Sequence, residues 1–333
     1  MRRRDFLAGL LLTATIQPAK AQQPGKVYRI ALVHPSAPTT GMSEAGGYPG
    51  YPALFRKLRQ LGYVEGQNLV VERYSGEGRS EHYAELARDV IRSNPDLVFA
   101  VSTFMVRYFK EVTSTIPIVG SMASPVEAGV VASLIRPGGN VTGISVDAGP
   151  ELLGKRLEVL REAVPKATRV AYLASRTPWE GPGVRILRET AQQTGISLLG
   201  PPLDSPIQES EYRRVFAEIA QQRADAVIVG DQPENTAHRQ LIVELANTWR
   251  LPAIYAYREY ATVGGLMVYG VNLSDFFSHA AQDIDQILKG AKPGEIPIYQ
   301  TAEIELILNL KTAKALGIEI APTLLARADE VIE

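Results

Sequence analysis

The sequence predicts an α/β protein made of two similar lobes, in each of which a parallel sheet carries helices on both faces. Short, almost continuously apolar runs alternate with amphipathic segments, as in sheets whose strands are buried on both sides. The order strand, helix, Pro-containing strand appears as PDLVFAVS…IPIVGS in the first half and again as ADAVIVGD…LPAIYAY in the second. Between the two, the turn RPGGN at 136–140 interrupts the pattern. We therefore expect two units of the same build.

The first half supplies the elements of one lobe. The apolar run VYRIALVH predicts the first strand. Ser80 can cap a helix whose apolar face is formed by Leu86, Ala87, Val90 and Ile91. The pattern predicts strands at 27–34, 68–75, 96–102 and 116–121, and further helices at about 52–61, 104–113 and 126–135.

The second half repeats the alternation. Pro150 suits the first turn of a helix that Pro165 ends. The pattern then predicts strands at 169–175, 196–202, 224–231 and 251–257, and helices at 182–194, 208–222 and 234–249. We expect the run GGLMVYG at 264–270 and the helix at 274–289 to rejoin the first lobe.

The glycines at 138 and 139 predict a tight turn where the first lobe ends. Pro137 stops the preceding segment, and Val141–Val146 can then cross to the second lobe. A second crossing is expected near 256–263. This gives two Rossmann-like lobes joined by a multi-strand hinge, with boundaries at 27–145 plus about 258–292, and at 146–257 plus about 293–333. The cleft between such lobes is the natural ligand site.

Residues 1–21 have the pattern of an export signal peptide. A basic start is followed by an apolar stretch from Phe6 to Ile16 and by the small-x-small site Ala19-Lys20-Ala21. The run RRDFL at 3–7 also indicates a twin-arginine signal, although Arg2 stands where that motif usually has Ser or Thr. We expect export to the periplasm; an N-terminal membrane anchor is the alternative interpretation.

Composition excludes several classes of function. The chain has no cysteine, which excludes disulfides, cysteine nucleophiles and Cys-ligated zinc. A formal net charge of −1 gives no electrostatic reason to expect nucleic-acid binding. The four histidines are scattered, and no metal, nucleophile-elbow or phosphate-loop motif occurs. We expect no metal, no cofactor and no enzymatic activity.

Several stretches together resemble the periplasmic substrate-binding proteins of ABC transporters, in the branch that includes tryptophan/tyrosine uptake proteins. These stretches span most of the chain: LGYVEGQNLVVE at 61–72, TIPIVG at 115–120, SLIRPGGNVTGIS at 133–145, GGLMVYG at 264–270, ILKGAKPGEIPIYQ at 287–300 and LNLKTAKALGIEIAPTLLARADEVIE at 308–333. The resemblance implies a type I periplasmic-binding fold, a monomer, and delivery of a small solute to a membrane permease.

This chain departs from the family's pattern at two loops. The family usually has Asp before the Pro-Val that follows its fourth strand, where this chain has Ser124. The loop after the first strand of the second lobe often carries Asn, where this chain has Ser175. An amino acid or an aromatic carboxylate is the expected ligand class, but its identity does not transfer across these changes.

Candidate ligand-binding residues follow the carboxyl ends of the predicted strands, where α/β folds bind ligands. In the first lobe, hydroxyl groups predict a site for a carboxylate or amide, with helix capping as the alternative role: Ser36, Ser102, Thr103, Ser121 and Ser124. In the second lobe, Trp179 can stack on a ring and Asp231 can pair with an ammonium group, unless it caps the next helix. The second-lobe set is Ser175, Trp179, Asp231, Tyr257 and Glu259.

The sequence thus favours a solute receptor of an ABC importer that closes on its ligand without chemistry. A periplasmic ligand sensor for a membrane receptor kinase is the alternative, because both functions depend on the closed state. An exported α/β enzyme is a third hypothesis, for which no nucleophile–base pair or metal set is apparent.

Overall fold

A computed structural model describes residues 26–146, 151–300 and 303–333. The proposed export signal at 1–21 and the predicted helix start at Pro150 lie outside these residues. No helix in the described ranges is long and apolar enough to cross a membrane.

Two sheets organise the chain. Their strands, in chain order, are β1 (Tyr28–His34), β2 (Leu69–Ser75), β3 (Leu97–Val101), β4 (Ile118–Met122), β5 (Val141–Ser145), β6 (Arg169–Leu173), β7 (Ser197–Leu199), β8 (Ala226–Val229), β9 (Ala253–Tyr257), β10 (Met267–Val271), β11 (Tyr299–Gln300), β12 (Glu305–Asn309) and β13 (Glu330–Ile332).

Helices cover the faces of both sheets. In chain order they are α1 (Tyr51–Gln60), α2 (Tyr83–Arg92), α3 (Thr103–Val112), α4 (Glu151–Ala163), α5 (Arg176–Glu180), α6 (Pro182–Gln193), α7 (Glu209–Gln221), α8 (Pro233–Ala237), α9 (Arg239–Thr248), α10 (Leu273–Leu288), α11 (Leu310–Leu316) and α12 (Pro322–Leu325).

The strand order confirms the predicted α/β class. The first sheet runs β11-β5-β4-β3-β1-β2, and the second runs β13-β12-β10-β9-β8-β6-β7. The described pairs are parallel except for β10 with β12. Strands β3 and β8 are buried along their whole length, because helices cover both of their faces. Continuous apolar runs were therefore the correct signal for these strands.

The return of the chain to the first lobe differs from the sequence prediction. Strand β10 pairs with β9, so the run at 264–270 belongs to the second sheet rather than to the first lobe. Helix α10 does pack on α1 of the first lobe, and β11 joins β5 in the first sheet. The chain therefore changes lobe at 271–273, not near 256–263, and it changes again between β11 and β12. The predicted ranges 258–292 and 293–333 each divide between the two sheets.

The predicted helix at 126–135 is absent; this segment forms turns and bends. Ser124 and Gly129 have φ of 44° and 69°, in the left-handed region that a right-handed helix does not contain. Gly138 and Gly139 also have positive φ, as the tight turn requires. The Gly138 N–H donates to Gly294 O at 3.2 Å. The turn before β5 is thus fixed to the turn before β11, and both lead into lobe-crossing segments.

Aromatic side chains tie α10 into the first lobe. Phe277 is fully buried, and its ring centroid lies 5.3 Å from that of Tyr51 and 5.3 Å from that of Phe99, edge-on in both cases. Such edge-to-face pairs add to the free energy of area burial. Gly50 is required beside this ring, because a Cβ there would lie 2.6 Å from Phe277. A late segment of the chain therefore completes the core of the first lobe.

Candidate ligand-binding cleft

A cavity of about 900 Å³ lies between the two sheets. Its walls are built by residues that follow the carboxyl ends of β3 and β4 in the first sheet and of β6 and β8 in the second. Loops at these ends converge because the strands within each sheet are parallel. Helices α3 and α4 supply further lining side chains.

The end of β3 forms the first part of the lobe-one wall. Ser102 has φ of 90°, and its Oγ accepts a hydrogen bond from the Phe104 N–H at 3.3 Å. Thr103 Oγ1 donates to Ala123 O and accepts from the Ala123 N–H, both at 2.8 Å. The two hydroxyl groups therefore fix the start of α3 and its neighbouring loop, while their residues also line the cavity.

Ser121, near the end of β4, is 4% exposed and lines the cavity. Ser124, one turn further on, has φ of 44°, an uncommon backbone conformation for a residue other than glycine. Ser121 and Ser124 therefore bring the end of β4 and the loop after it to the cavity wall.

Aromatic groups and one cation complete the lobe-one wall. The rings of Tyr83 and Tyr108 meet edge-on at 6.4 Å, and Phe104 is 40% exposed beside them. Tyr83 Oη donates to Pro35 O at 3.1 Å. Arg107 lies on the same helix as Phe104 and forms no ion pair with a described residue. The wall thus offers apolar ring faces next to a positive charge.

The lobe-two wall carries two carboxyl groups. Gln232 Nε2 donates to Asp231 Oδ1 at 3.1 Å, and Ser175 Oγ donates to Glu234 Oε1 at 2.8 Å. Burial raises the pKa of Glu234, and the negative charge of Asp231 raises that pKa further. Tyr257 Oη donates to the Asp231 carbonyl oxygen at 3.2 Å. This wall is therefore suited to a cationic group.

The buried side chain of Arg156 lies close to the Asp231 carboxylate. Its side chain is 2% exposed, its Nε donates to Tyr269 O at 2.8 Å, and its Nη1 lies 3.9 Å from Asp231 Oδ2. An arginine buried this deeply requires a negative partner. The pair places a buried positive charge beside Asp231 at the cavity wall.

Seven of the ten predicted site residues line the cavity: Ser102, Thr103, Ser121, Ser124, Ser175, Asp231 and Tyr257. The other three do not. Ser36 lines a separate cavity of about 320 Å³ and follows His34, whose Nδ1 accepts from the Ser36 N–H at 3.0 Å. Trp179 packs on Tyr172 at 5.4 Å, and Glu259 is partly buried outside the lining set. The ligand-binding roles of the ten residues stay predictions.

Sequence reasoning missed residues that lie on helices: Tyr83, Phe104, Arg107, Tyr108, Arg156 and Glu234. For Arg156 a signal was present. It stands three residues after Leu153 and four before Leu160, on the apolar face of α4, where a charged side chain must find a buried partner. The others carry no comparable local signal.

The two lobes touch at the rim of the cavity. The Ile207 N–H donates to Gly78 O at 3.2 Å, and Ser205 Oγ bonds to Glu81 Oε2 at 3.0 Å. We call these two contacts the rim latch. A third contact joins Arg239 Nη2 to Gly47 O at 2.7 Å. The structure therefore has the closed arrangement of the lobes.

No group of three or more metal-ligating side chains occurs within the described ranges.

Comparison with known proteins agrees with this architecture. The chain is similar to the Tyrosine-binding protein of Clostridioides difficile (strain R20291), with 24% identity over 268 residues that cover 80% of this chain and 76% of that protein. A conserved domain protein from Vibrio cholerae superposes with a TM-score of 0.76 at 24% identity, over 92% of this chain and 100% of that one.

A second solved structure, the ABC domain from Streptococcus pneumonia in complex with L-Trp, has a TM-score of 0.75 at 21% identity and covers 92% of this chain and 100% of that one. These structures confirm the type I periplasmic-binding fold. The family model described as ABC transporter substrate binding protein matches residues 48–332. Proteins of this family bind substrate outside the cytoplasm and are a non-enzymatic component of transport. The chain belongs to the ABC transporter substrate-binding protein family.

Proposed function

We propose that this protein is the extracytoplasmic receptor of an ABC importer, which closes on a small organic ligand and delivers it to an inner-membrane permease. The observation that carries the proposal is the cavity of about 900 Å³ whose walls come from both lobes. A ligand that contacts both walls stabilises the closed form, and the permease can distinguish that form from the open one.

The ligand class follows from the walls. Asp231 and Glu234 are suited to an ammonium group, whereas the Ser121 hydroxyl and the rings of Tyr83 and Tyr108 are suited to a carboxylate or amide and an apolar body. An amino acid or an aromatic carboxylate has these features. The tyrosine-binding relative and the L-Trp complex support the same class.

Export and assembly belong to the same proposal. The basic and apolar segments of residues 1–21 supply the export signal, with Arg3 and Arg4 supporting the twin-arginine route to the periplasm. We also propose that the mature receptor acts as a monomer, as the resemblance to the family implies.

Thermal unfolding with a panel of amino acids, aromatic acids and other small carboxylates tests the proposal. A ligand at about 100 times its Kd stabilises the folded state by roughly 2.7 kcal/mol. Small-angle scattering with the selected ligand then measures whether the lobes close. A panel that produces neither a selective thermal shift nor closure would refute the receptor function.

A further inference from the structure

One cation of the cavity wall is buried and incompletely hydrogen-bonded. The side chain of Arg156, on α4 of the second lobe, is 2% exposed and lines the cavity. Its Nε donates to Tyr269 O at 2.8 Å, and this is the only hydrogen bond that the guanidinium forms with a described residue. Its Nη1 lies 3.9 Å from Asp231 Oδ2, which is close enough for an ion pair but too far for a hydrogen bond. The Nη groups of Arg156 therefore keep donors for a further acceptor.

The charge of Arg156 acts on the inner surface of the cavity. Tyr172 and Tyr257 line this surface, and burial raises the pKa of both phenol groups. The negative charge of Asp231 raises each pKa further, whereas the positive charge of Arg156 opposes the rise. A cation and an anion thus stand side by side at one part of the lobe-two wall.

The other two cations of the wall are placed differently. Arg107 on lobe one and Arg176 on lobe two are both exposed. Arg176 also forms an ion pair of 2.6 Å with Asp204. Water and salt weaken the attraction of an exposed charge, but they weaken that of a buried charge much less. Arg156 is therefore the cation of the cavity wall that attracts a bound anion most strongly.

The carboxyl groups of the wall decide what kind of anion fits beside Arg156. Glu81 is exposed at the rim, and Glu234 accepts a hydrogen bond from the Ser175 hydroxyl. Asp231 is the carboxylate next to Arg156, so an anion without a positive charge of its own would be repelled by it. A ligand whose ammonium group lies directly beside its carboxylate avoids this repulsion.

We propose that Arg156 is a specificity-determining residue, which binds the carboxylate of an α-amino acid through its Nη donors while the ammonium group lies beside Asp231. Guanidinium and carboxylate are planar groups that match in paired hydrogen bonds, and such a pair would complete the bonding of the buried arginine. In an α-amino acid both charged groups are attached to one carbon atom, as the adjacent positions of the two side chains require. This inference rests on the proposed receptor function and assigns both charges of the ligand to lobe two.

Isothermal titration calorimetry with L-tyrosine and L-tryptophan, each compared with its carboxamide, tests the need for a carboxylate. At pH 6 the acids and the amides all carry an ammonium group, so only the carboxylate differs. We expect at least one acid to bind about 30-fold or more tightly than its amide. Equal affinities, or no binding of either acid, would overturn the inference. If another member of the ligand panel still closes the lobes in small-angle scattering, the receptor function stands while this inference fails.

Variants of the three cavity cations locate the carboxylate. In Arg156→Gln the preferred acid and its amide should bind within about threefold of each other, because the attracting charge is gone. Arg107→Gln and Arg176→Gln are the matched controls and should keep the full preference for the acid. An arginine that only orients Asp231 would, when replaced, weaken acid and amide equally and leave the preference unchanged. A preference that persists in Arg156→Gln, or that is lost in either control, would overturn the assignment.

Arg156→Lys guards against a loss of folding in Arg156→Gln, since it retains the buried positive charge. Lysine lacks the planar pair of donors, so the preference for the acid should be smaller than in the parent protein. A preference as large as the parent's would overturn the assignment to the Nη donors. Thermal unfolding of each variant verifies that it is folded before titration. The two control variants stay decisive in any case, because a preference lost in one of them places the carboxylate elsewhere.

Discussion

Replacing Gly78 with alanine separates the free energy of lobe closure from that of folding. Gly78 has φ of 73°, which an alanine adopts only with strain, and this strain acts in the open and closed forms alike. The new Cβ would also lie 2.6 Å from Ile207 O, a contact that exists only when the lobes are closed. We therefore expect the substitution to lower both the free energy of unfolding and the affinity for ligand.

The loss of stability and the loss of affinity can be estimated separately, and both are compared with one control variant. The positive φ costs about 1–2 kcal/mol in folding free energy. Relief of the clash requires a shift that weakens the Ile207 N–H bond to Gly78 O, a bond worth about 0.5–1.5 kcal/mol. With the clash added, the closed form loses about 1–2 kcal/mol, or roughly 5- to 30-fold in affinity. Gly66→Ala is matched, because its φ is 81° and no atom lies within 4 Å of its Cβ position.

Calorimetric titration with the best ligand of the panel gives the affinities, and thermal unfolding gives the stabilities. Gly66→Ala should lower stability and leave affinity unchanged, whereas Gly78→Ala should lower both. Small-angle scattering should show a larger radius of gyration for ligand-bound Gly78→Ala than for the ligand-bound parent. If Gly78→Ala bound ligand as tightly as Gly66→Ala does, the rim latch would have no part in closure and the reasoning would be refuted.

Three further substitutions test other parts of the structure. Asp231→Asn should weaken the binding of an ammonium-bearing ligand by about 2 kcal/mol in calorimetric titration. Asp89→Asn, on the exposed face of α2, should leave that affinity unchanged. If the two variants bound the ligand equally tightly, Asp231 would have no part in the site. Burial raises the pKa of Asp283 to about 8, so between pH 4 and 8 the unfolded chain releases a proton that the folded chain retains, and stability falls as pH rises. Asp283→Asn should therefore stabilise by about 2–4 kcal/mol at pH 7 and by almost nothing at pH 3 in denaturant titrations; an equal gain at both pH values would exclude ionisation as the cause. Phe277→Ala should lower the free energy of unfolding by about 3–5 kcal/mol in the same assay. Ile135→Ala, at an exposed position, should lower it by less than about 0.5 kcal/mol. A similarly small loss for both variants would show that the Phe277 ring does not stabilise the first lobe.

The strands were predictable because burial on both faces leaves a mark in the local sequence. The runs that became β3 and β8 are apolar throughout, and their structures agree with this reading. The sheet to which a strand belongs has no such local mark. The run at 264–270 would be equally apolar in either sheet, and only its pairing with β9 decides the matter. The missing helix at 126–135 has a local cause, since Ser124 and Gly129 adopt positive φ.

The residues that line the cleft also divide into those that the local sequence indicates and those that it does not. Polar residues directly after a strand, such as Ser121 and Asp231, could be found because the carboxyl edge of a parallel sheet is fixed by the fold. Apart from Arg156, the lining residues on helices could not be found in this way, because which helix face meets the other lobe depends on the hinge. Trp179 illustrates the opposite difficulty: its Gly- and Pro-rich surroundings suggested an open loop, but the ring packs on Tyr172 beside the second sheet.

The position of α10 has a consequence for the order in which the protein is made. The first lobe needs Phe277 for its aromatic core and Tyr299–Gln300 for the edge of its sheet, and these residues follow most of the second lobe along the chain. Although residues 28–145 emerge first from the ribosome, they cannot complete their packing until nearly the whole chain has been synthesised. A nascent chain that ends near residue 270 would expose the α10-binding surface of the first lobe to the cell's chaperones and proteases.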